Sequence, residues 1–216
     1  MSAPVPASPG PLTPEEFQKL SSVSRETMGR LERYLALLER WQKAINLVSG
    51  ASLKDPWRRH FLDSAQFIPM LPKAPLRIAD LGSGAGFPGL VLAVMGAGEV
   101  HLLESDGRKC AFLREVARET GTKVEIHEGR IESIAQIGAD VIVSRALAPL
   151  VVLLPYAQRH VKIGGISLLH KGRGVEEELT AARKEWSMRV RKSANHADSS
   201  GWILHIGDLA RVAHNG

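Results

Sequence analysis

The sequence predicts an α/β fold: a doubly wound, mostly parallel sheet with an N-terminal helical cap and a C-terminal antiparallel hairpin. Three observations lead there. From Leu76 onward, short apolar runs alternate with segments of helical period, the signature of repeated strand–helix units. The run LRIADLGSGAGFPGL, residues 76–90, closes an apolar strand with Gly82, Gly84 and Gly86 and then opens a helix. Two last strand candidates, at 188–195 and 202–206, have only the polar HADSSG between them and no helix. Such a hairpin adds antiparallel pairing at one sheet edge.

A chain of 216 residues is long enough for one good core with a small appended unit. The reading is a disordered tail over 1–12, a helical cap over 13–72 and a ligand-binding domain over 73–216. The tail follows from its proline, serine and alanine content. Thr13, Pro14, Glu15 and Glu16 then mark a helix start, with an N-cap hydroxyl, proline at the first position and acids in the first turn. A longer helix is expected over 26–48, because Leu31, Tyr34, Leu35, Leu38, Trp41, Ile45 and Val48 fall on one face. Arg30, Arg33, Arg40 and Lys43 lie outside that stripe, as a solvated face or as RNA contacts. A further helix is expected over 56–70. Strands are expected at 77–81, 99–104, 123–127, 140–144 and 165–170, with helices at 89–97, 108–120, 150–159 and 175–186.

Composition narrows the function classes. A hydrophobic share of 44% and a charged share of 24% are those of an ordinary globular protein. No apolar run approaches membrane-spanning length, and the first residues lack the basic start and apolar core of a secretory signal, so a cytoplasmic setting is expected. Cys110 is the only cysteine, which excludes an internal disulfide and a multi-cysteine metal site, and no metal centre is expected. The net charge of +5 is compatible with a polyanionic partner without requiring one.

In a doubly wound sheet, ligands sit beyond the carboxyl ends of the strands, so the residues that follow each strand carry the chemistry. After the first come Asp80, Gly82, Gly84, Gly86 and Phe87, with glycines spaced G-x-G-x-G rather than in the G-x-G-x-x-G of dinucleotide folds. This D-x-G-x-G-x-G run resembles motif I of class I S-adenosylmethionine-dependent methyltransferases, whose sheet is Rossmann-like. Glu104 ends the second strand eighteen residues beyond Gly86, where a carboxylate can accept bonds from ribose hydroxyls or serve only a salt bridge. Ile131 and Glu132 follow the third strand as an apolar face and an acceptor for an adenine. The fourth is followed by Ser144 and Arg145, without the N/D-P-P-Y/F run typical of methyltransferases acting on exocyclic amines. Cys110 falls on the apolar side of its helix, which disfavours cytosine C5 chemistry through a cysteine nucleophile.

Five stretches in order, RHFLDS at 59–64, DLGSGAGFPG at 80–89, KCAFL at 109–113, SRA at 144–146 and KG at 171–172, resemble the RsmG (GidB) family of bacterial methyltransferases. The resemblance covers roughly 31–172, with Leu147 where the family is expected to carry phenylalanine. It implies methyl transfer from S-adenosylmethionine to guanine N7 at 16S rRNA position 527. It also implies cofactor contacts at Gly82, Phe87, Ile131, Glu132 and Arg145. The partner would be 16S rRNA or a small-subunit particle, and the enzyme a monomer. Guanine N7 has an in-plane lone pair and loses no proton on methylation, so catalysis would rest on positioning rather than on a base. Arg145 then belongs on a phosphate, on guanine O6 or on the cofactor carboxylate. His60 and Asp63, three residues apart on one helical face, either close the pocket from the cap or form a local hydrogen-bonded pair that fastens cap to core. Lys171, Arg173, Arg58 and Arg59 are the candidate RNA contacts, with Trp57, Arg189, Arg191 and Lys192 further ones. Two other readings are a small-molecule methyltransferase and a cofactor-sensing RNA-binding module without turnover. An NAD-dependent oxidoreductase is disfavoured by the glycine spacing.

Overall fold

The computed structural model describes residues 10–73, 76–145 and 147–212. Most of the expected tail, residues 1–9, therefore lies outside the described residues, as does Ala146. Residues 10–12 do not continue a tail. Leu12 is buried, its N–H donates to Asp55 at 2.9 Å, and the Gly10 carbonyl accepts from Arg58.

Helix α1 (Pro14–Ser21) opens with the full capping box: Thr13 accepts from the Glu16 N–H and Glu16 accepts from the Thr13 N–H. Helix α2 (Arg25–Gln42) is shorter than the expected 26–48. The Gln42 amide oxygen accepts from the N–H groups of Leu47 and Val48, and its Nε2 donates to the Val48 carbonyl. A side chain thus takes over bonds that further helix would have made. The expected single helix over 56–70 is instead three pieces. A π-helical turn spans Trp57–Leu62, a short α3 spans Asp63–Ala65, and a 3-10 turn spans Ile68–Met70. Pro69 within that last turn has no N–H to donate, which favours an irregular end. The wide turn directs both His60 and Asp63 inward, and both are buried.

Seven strands follow: β1 (Arg77–Leu81), β2 (Glu99–Glu104), β3 (Glu125–Glu128), β4 (Ala139–Arg145), β5 (Val161–Lys171), β6 (Trp186–Ala194) and β7 (Trp202–Arg211). Their order is β3-β2-β1-β4-β5-β7-β6. β1 to β5 are parallel, and β7 pairs antiparallel with both β5 and β6. The chain leaves β1 towards β2 on one side and reaches β4 on the other, so the switch point lies between β1 and β4. Helices α4 (Gly89–Val94), α5 (Gly107–Thr120), α6 (Leu150–His160) and α7 (Val175–Ala182) fill the connections. The expected doubly wound sheet and terminal hairpin are both present. Helix α7 stops short of 186 because Trp186 is buried as the first residue of β6, with the Arg211 guanidinium 4.9 Å over its ring.

Each sheet face has its own core. On one, Leu150, Leu154 and Ala157 of α6 and Leu179 of α7 pack with Leu81, Ile142 and Leu204. On the other, α4 and α5 share a single cluster with the cap, in which Phe17, Leu31, Tyr34 and Phe61 join Leu90 and Phe112. Tyr34 and Phe61 meet edge to face at 5.6 Å, and Trp41 packs on Phe112 at 5.7 Å. The cap is therefore one wall of the sheet's core.

Candidate active site

A cleft of about 770 Å³ opens at the carboxyl ends of β1, β2 and β4, between the cap and the loop that joins β6 to β7. Its floor is the glycine loop. Gly82 and Ser83 both donate to the Leu103 carbonyl at 3.0 Å, which pins the loop to the end of β2. Gly82, Gly84 and Gly86 all have positive φ, at 70°, 57° and 90°. Gly82 and Gly84 line the cleft, whereas Gly86 faces the cap: a Cβ there would strike the Tyr34 hydroxyl and lie 2.8 Å from Leu90. The Tyr34 hydroxyl donates to the Ala85 carbonyl, and its ring lies parallel to Phe87 at 5.3 Å. One cap residue thus holds two residues of the loop.

Glu104 comes to the cleft wall with both oxygens engaged. It accepts from the Gly84 N–H at 2.8 Å and from the Asp106 N–H at 2.8 Å. A carboxylate oxygen has a second lone pair, so acceptor capacity for hydroxyls remains. Asp80, expected to touch cofactor, lies beneath the loop instead. It is fully buried and accepts from the Gly89 N–H at 3.0 Å, which ties β1 to the start of α4, while its Oδ1 has no partner among the described residues. Burial pushes its carboxyl up to about 7, against the Gly89 donor that pulls it down.

Arg145, at the end of β4, reaches across to the cap. Its guanidinium donates to the Arg59 carbonyl at 2.9 Å and to Asp63 at 3.2 Å, and meets His60 Nδ1 at 3.2 Å. It also sits 5.1 Å over the Phe87 ring, against which His60 stacks at 4.7 Å. A guanidinium only donates, so Nδ1 accepts and Nε2 carries the proton that it gives to Ser52 Oγ, 3.0 Å away. Burial, and then the Arg145 charge, push the His60 imidazole down to about 3, so it is neutral at physiological pH. Burial pushes the Asp63 carboxyl up, but His170, Arg145 and Asn195 outweigh it and hold the carboxyl below the ordinary range. His170 Nδ1 is 3.2 Å from Asp63 Oδ2. His60 and Asp63 do not bond to each other, so the local pair is absent; both bond to Arg145, and both line the cleft.

Ile131 and Glu132, on a 3-10 turn after β3, line the cleft below Glu104, and Glu132 pairs with Arg130 at 3.2 Å. Leu147 leans over the loop, where a Cβ on Gly82 would collide with it. Among the basic candidates, Arg59 lines the mouth and pairs with Asp198 at 3.0 Å. Arg58 turns away to Asp55 at 2.8 Å and Arg173 is exposed outside the cleft. Lys171 does not extend towards solvent as expected. Its side chain is 7% exposed, donating to the Ala148 carbonyl at 2.6 Å and to Glu178 at 2.8 Å. The first turn of α7 brings Glu178 back over the end of β5, a fold contact that a local reading of Lys171 and Gly172 does not contain.

Residues 27–202 match the family described as GidB, rRNA small subunit methyltransferase G. The chain belongs to this family. A ribosomal RNA small subunit methyltransferase G of Paramagnetospirillum magneticum is 54% identical over 198 residues, covering 92% of this chain and 97% of the relative. One of Rhodospirillum rubrum is 50% identical over 201 residues, covering 93% and 100%. Among solved structures, a SAM-dependent methyltransferase from Aquifex aeolicus aligns with a TM-score of 0.58 at 18% identity, covering 72% of this chain and 95% of that one. A methyltransferase from Pyrococcus furiosus aligns at 0.56 and 18%, covering 83% and 97%. Those two likenesses are of fold. Membership of the rRNA small subunit methyltransferase G family makes the chain an S-adenosylmethionine-dependent rRNA methyltransferase.

Several residues that build this family member's cleft were not legible as site residues. Tyr34 reads only as part of an apolar helix stripe. Asn195, Gln66 and His170 have no local signal either. The Asn195 amide donates to Asp63 at 2.8 Å across 132 residues of chain, and its oxygen accepts from Gln66.

Proposed function

We propose that the cleft transfers a methyl group from S-adenosylmethionine to N7 of a single guanine in 16S rRNA. The observation that carries this reading is the convergence, on one cleft floored by Cβ-free glycines, of an acceptor, an apolar turn and the cap. The residues present fit the cofactor: Gly84, above which the space is open, leaves room for its amino-acid part, Glu104 can accept from its ribose, and Ile131 with Glu132 would meet its adenine. When bound, it supplies a sulfonium-activated methyl group. What the chain itself contributes is placement. His60 is neutral and fully bonded, and Arg145 is spread over three cap groups, so neither is set up to move a proton. Guanine N7 needs no proton removed, and this agrees with a cleft whose polar groups hold one another in place. Leu147 and Val152 at the mouth offer apolar contact to a base face.

The substrate is rRNA within a small-subunit particle or free of proteins, and the protein acts as a monomer in the cytoplasm, where that RNA is made. Among the described residues no helix is long and apolar enough to cross a membrane. The test is transfer of radiolabelled methyl from S-adenosylmethionine to small-subunit rRNA. It is followed by borohydride and aniline treatment, which breaks the chain at 7-methylguanosine. A single scission is expected. Label without scission moves the chemistry to another atom, and label in small molecules but not in RNA overturns the RNA assignment.

A further inference from the structure

A second hollow of about 370 Å³ lies beside the main cleft, between the turn after α2 and the start of α5. Lys43, Arg108 and Lys109 bring three cations to it, against the single carboxylate of Asp106. Lys109 lines both hollows, so they share a wall.

The cations of the main cleft are largely spent. Arg59 is paired with Asp198, Arg130 with Glu132, Arg145 with Asp63 and Lys171 with Glu178. Lys109 is the exception, and Lys43 in the second hollow is like it: the ammonium group of neither has an ion-pair or hydrogen-bond partner among the described residues. Arg108 reaches Asp106 only at 3.5 Å, with its side chain 74% exposed. Asp106 is itself occupied in capping α5, accepting from the Arg108 N–H at 2.9 Å and the Lys109 N–H at 3.4 Å. Ammonium and guanidinium groups with unspent donors, gathered in a concave site, suit a phosphate, which accepts several bonds at once.

We propose that this hollow holds a backbone phosphate of the substrate RNA. The assignment rests on the rRNA reading above, and the shared Lys109 wall sets the hollow beside the cleft in which that reading puts the chemistry. The paired cations of the cleft then hold the protein's own shape, while Lys43, Arg108 and Lys109 hold the RNA.

The test uses the full chain carrying Lys43→Ala and Arg108→Ala together, both on exposed side chains, and reads affinity for small-subunit rRNA across a salt series. The expected result is RNA binding at least tenfold weaker near ~0.1 M salt, with log K against log salt shallower by about one to two. Affinity for S-adenosylmethionine stays within twofold of wild type. Unchanged RNA affinity and slope in the variant, with wild type binding normally, overturns this assignment alone. A wild-type protein that does not bind rRNA overturns the proposed substrate and this site with it. Inorganic phosphate is the second probe: if its binding is lost in the variant while rRNA affinity is kept, the hollow takes a free anion and the backbone-phosphate assignment falls.

Discussion

Two buried titratable residues pull the stability of this protein in opposite directions. The Asp80 carboxyl titrates near 3.8 when exposed and at about 7 in the fold. Its protonated form is favoured in the folded state, so its contribution is complete below pH 3.8 and lost as pH rises through 7. His60 falls from 6.5 to about 3, so the neutral ring contributes fully above pH 6.5 and loses that contribution as pH falls towards 3. Asp80→Asn should therefore gain stability over wild type as pH climbs from 4 to 7. His60→Gln should gain as pH falls from 6.5, each with a limiting slope of about 1.4 kcal/mol per pH unit. Urea unfolding of both variants across pH checks this, and two parallel pH curves would remove the burial argument. Arg145 tests geometry rather than charge. Lysine cannot reach the Arg59 carbonyl, Asp63 and His60 from one planar fork. Arg145→Lys should then keep the fold and lower single-turnover methylation tenfold or more. Arg145→Ala should cost about 1.5–3 kcal/mol by leaving Asp63 buried beside a lost donor. Asp63→Asn in the same chain should return part of that stability, and a simply additive double variant would sever the link between them.

Helix α2 is a strut as well as a surface. Its Tyr34 reaches the glycine loop, so Tyr34→Phe should leave the helix intact, cost about 1–3 kcal/mol by stranding the Ala85 carbonyl, and weaken cofactor binding several-fold. Calorimetry on the folded variant would show it, and full affinity would mean the loop keeps its shape unaided. At this scale the sequence was informative wherever the signal was local. Glycines at alternate positions and an acid at the end of β2 put the loop and Glu104 in place, because strand register carries both to one sheet edge. Asp80 carried the same signal but turns under the loop, since alternation along β1 sends it to the α4 side. The end of α2 depended on a glutamine side chain folding back, and the wide turn at Trp57–Leu62 on backbone pairing that side-chain period does not report. Lys171 looked free because its partner arrives from the next helix.

The cap and the sheet unfold together if they share one core. Trp41 and Trp57 report on the cap, and Trp186 and Trp202 on the hairpin. In each variant that keeps one pair of tryptophans, the urea midpoint by fluorescence should coincide with the midpoint of the same variant by far-ultraviolet circular dichroism. A cap transition separated from the hairpin's would divide the core in two. At the whole-molecule scale the fold class was legible, because four strand–helix units and a helix-free pair of strands leave few topologies. The cleft's inner bonding was not, because Arg145 finds its partners more than eighty residues away. The insertion of β7 between β5 and β6 has a consequence for the order in which the molecule is made. As the chain emerges from a ribosome, β6 appears first but has no neighbour until β7 has followed it, because β7 alone joins it to the sheet. Asp63, translated early, waits through 132 residues for Asn195. From the emergence of β4 until β7 has followed, the polypeptide therefore carries a cleft with one wall open, and closure of that wall is one of the last events of its birth.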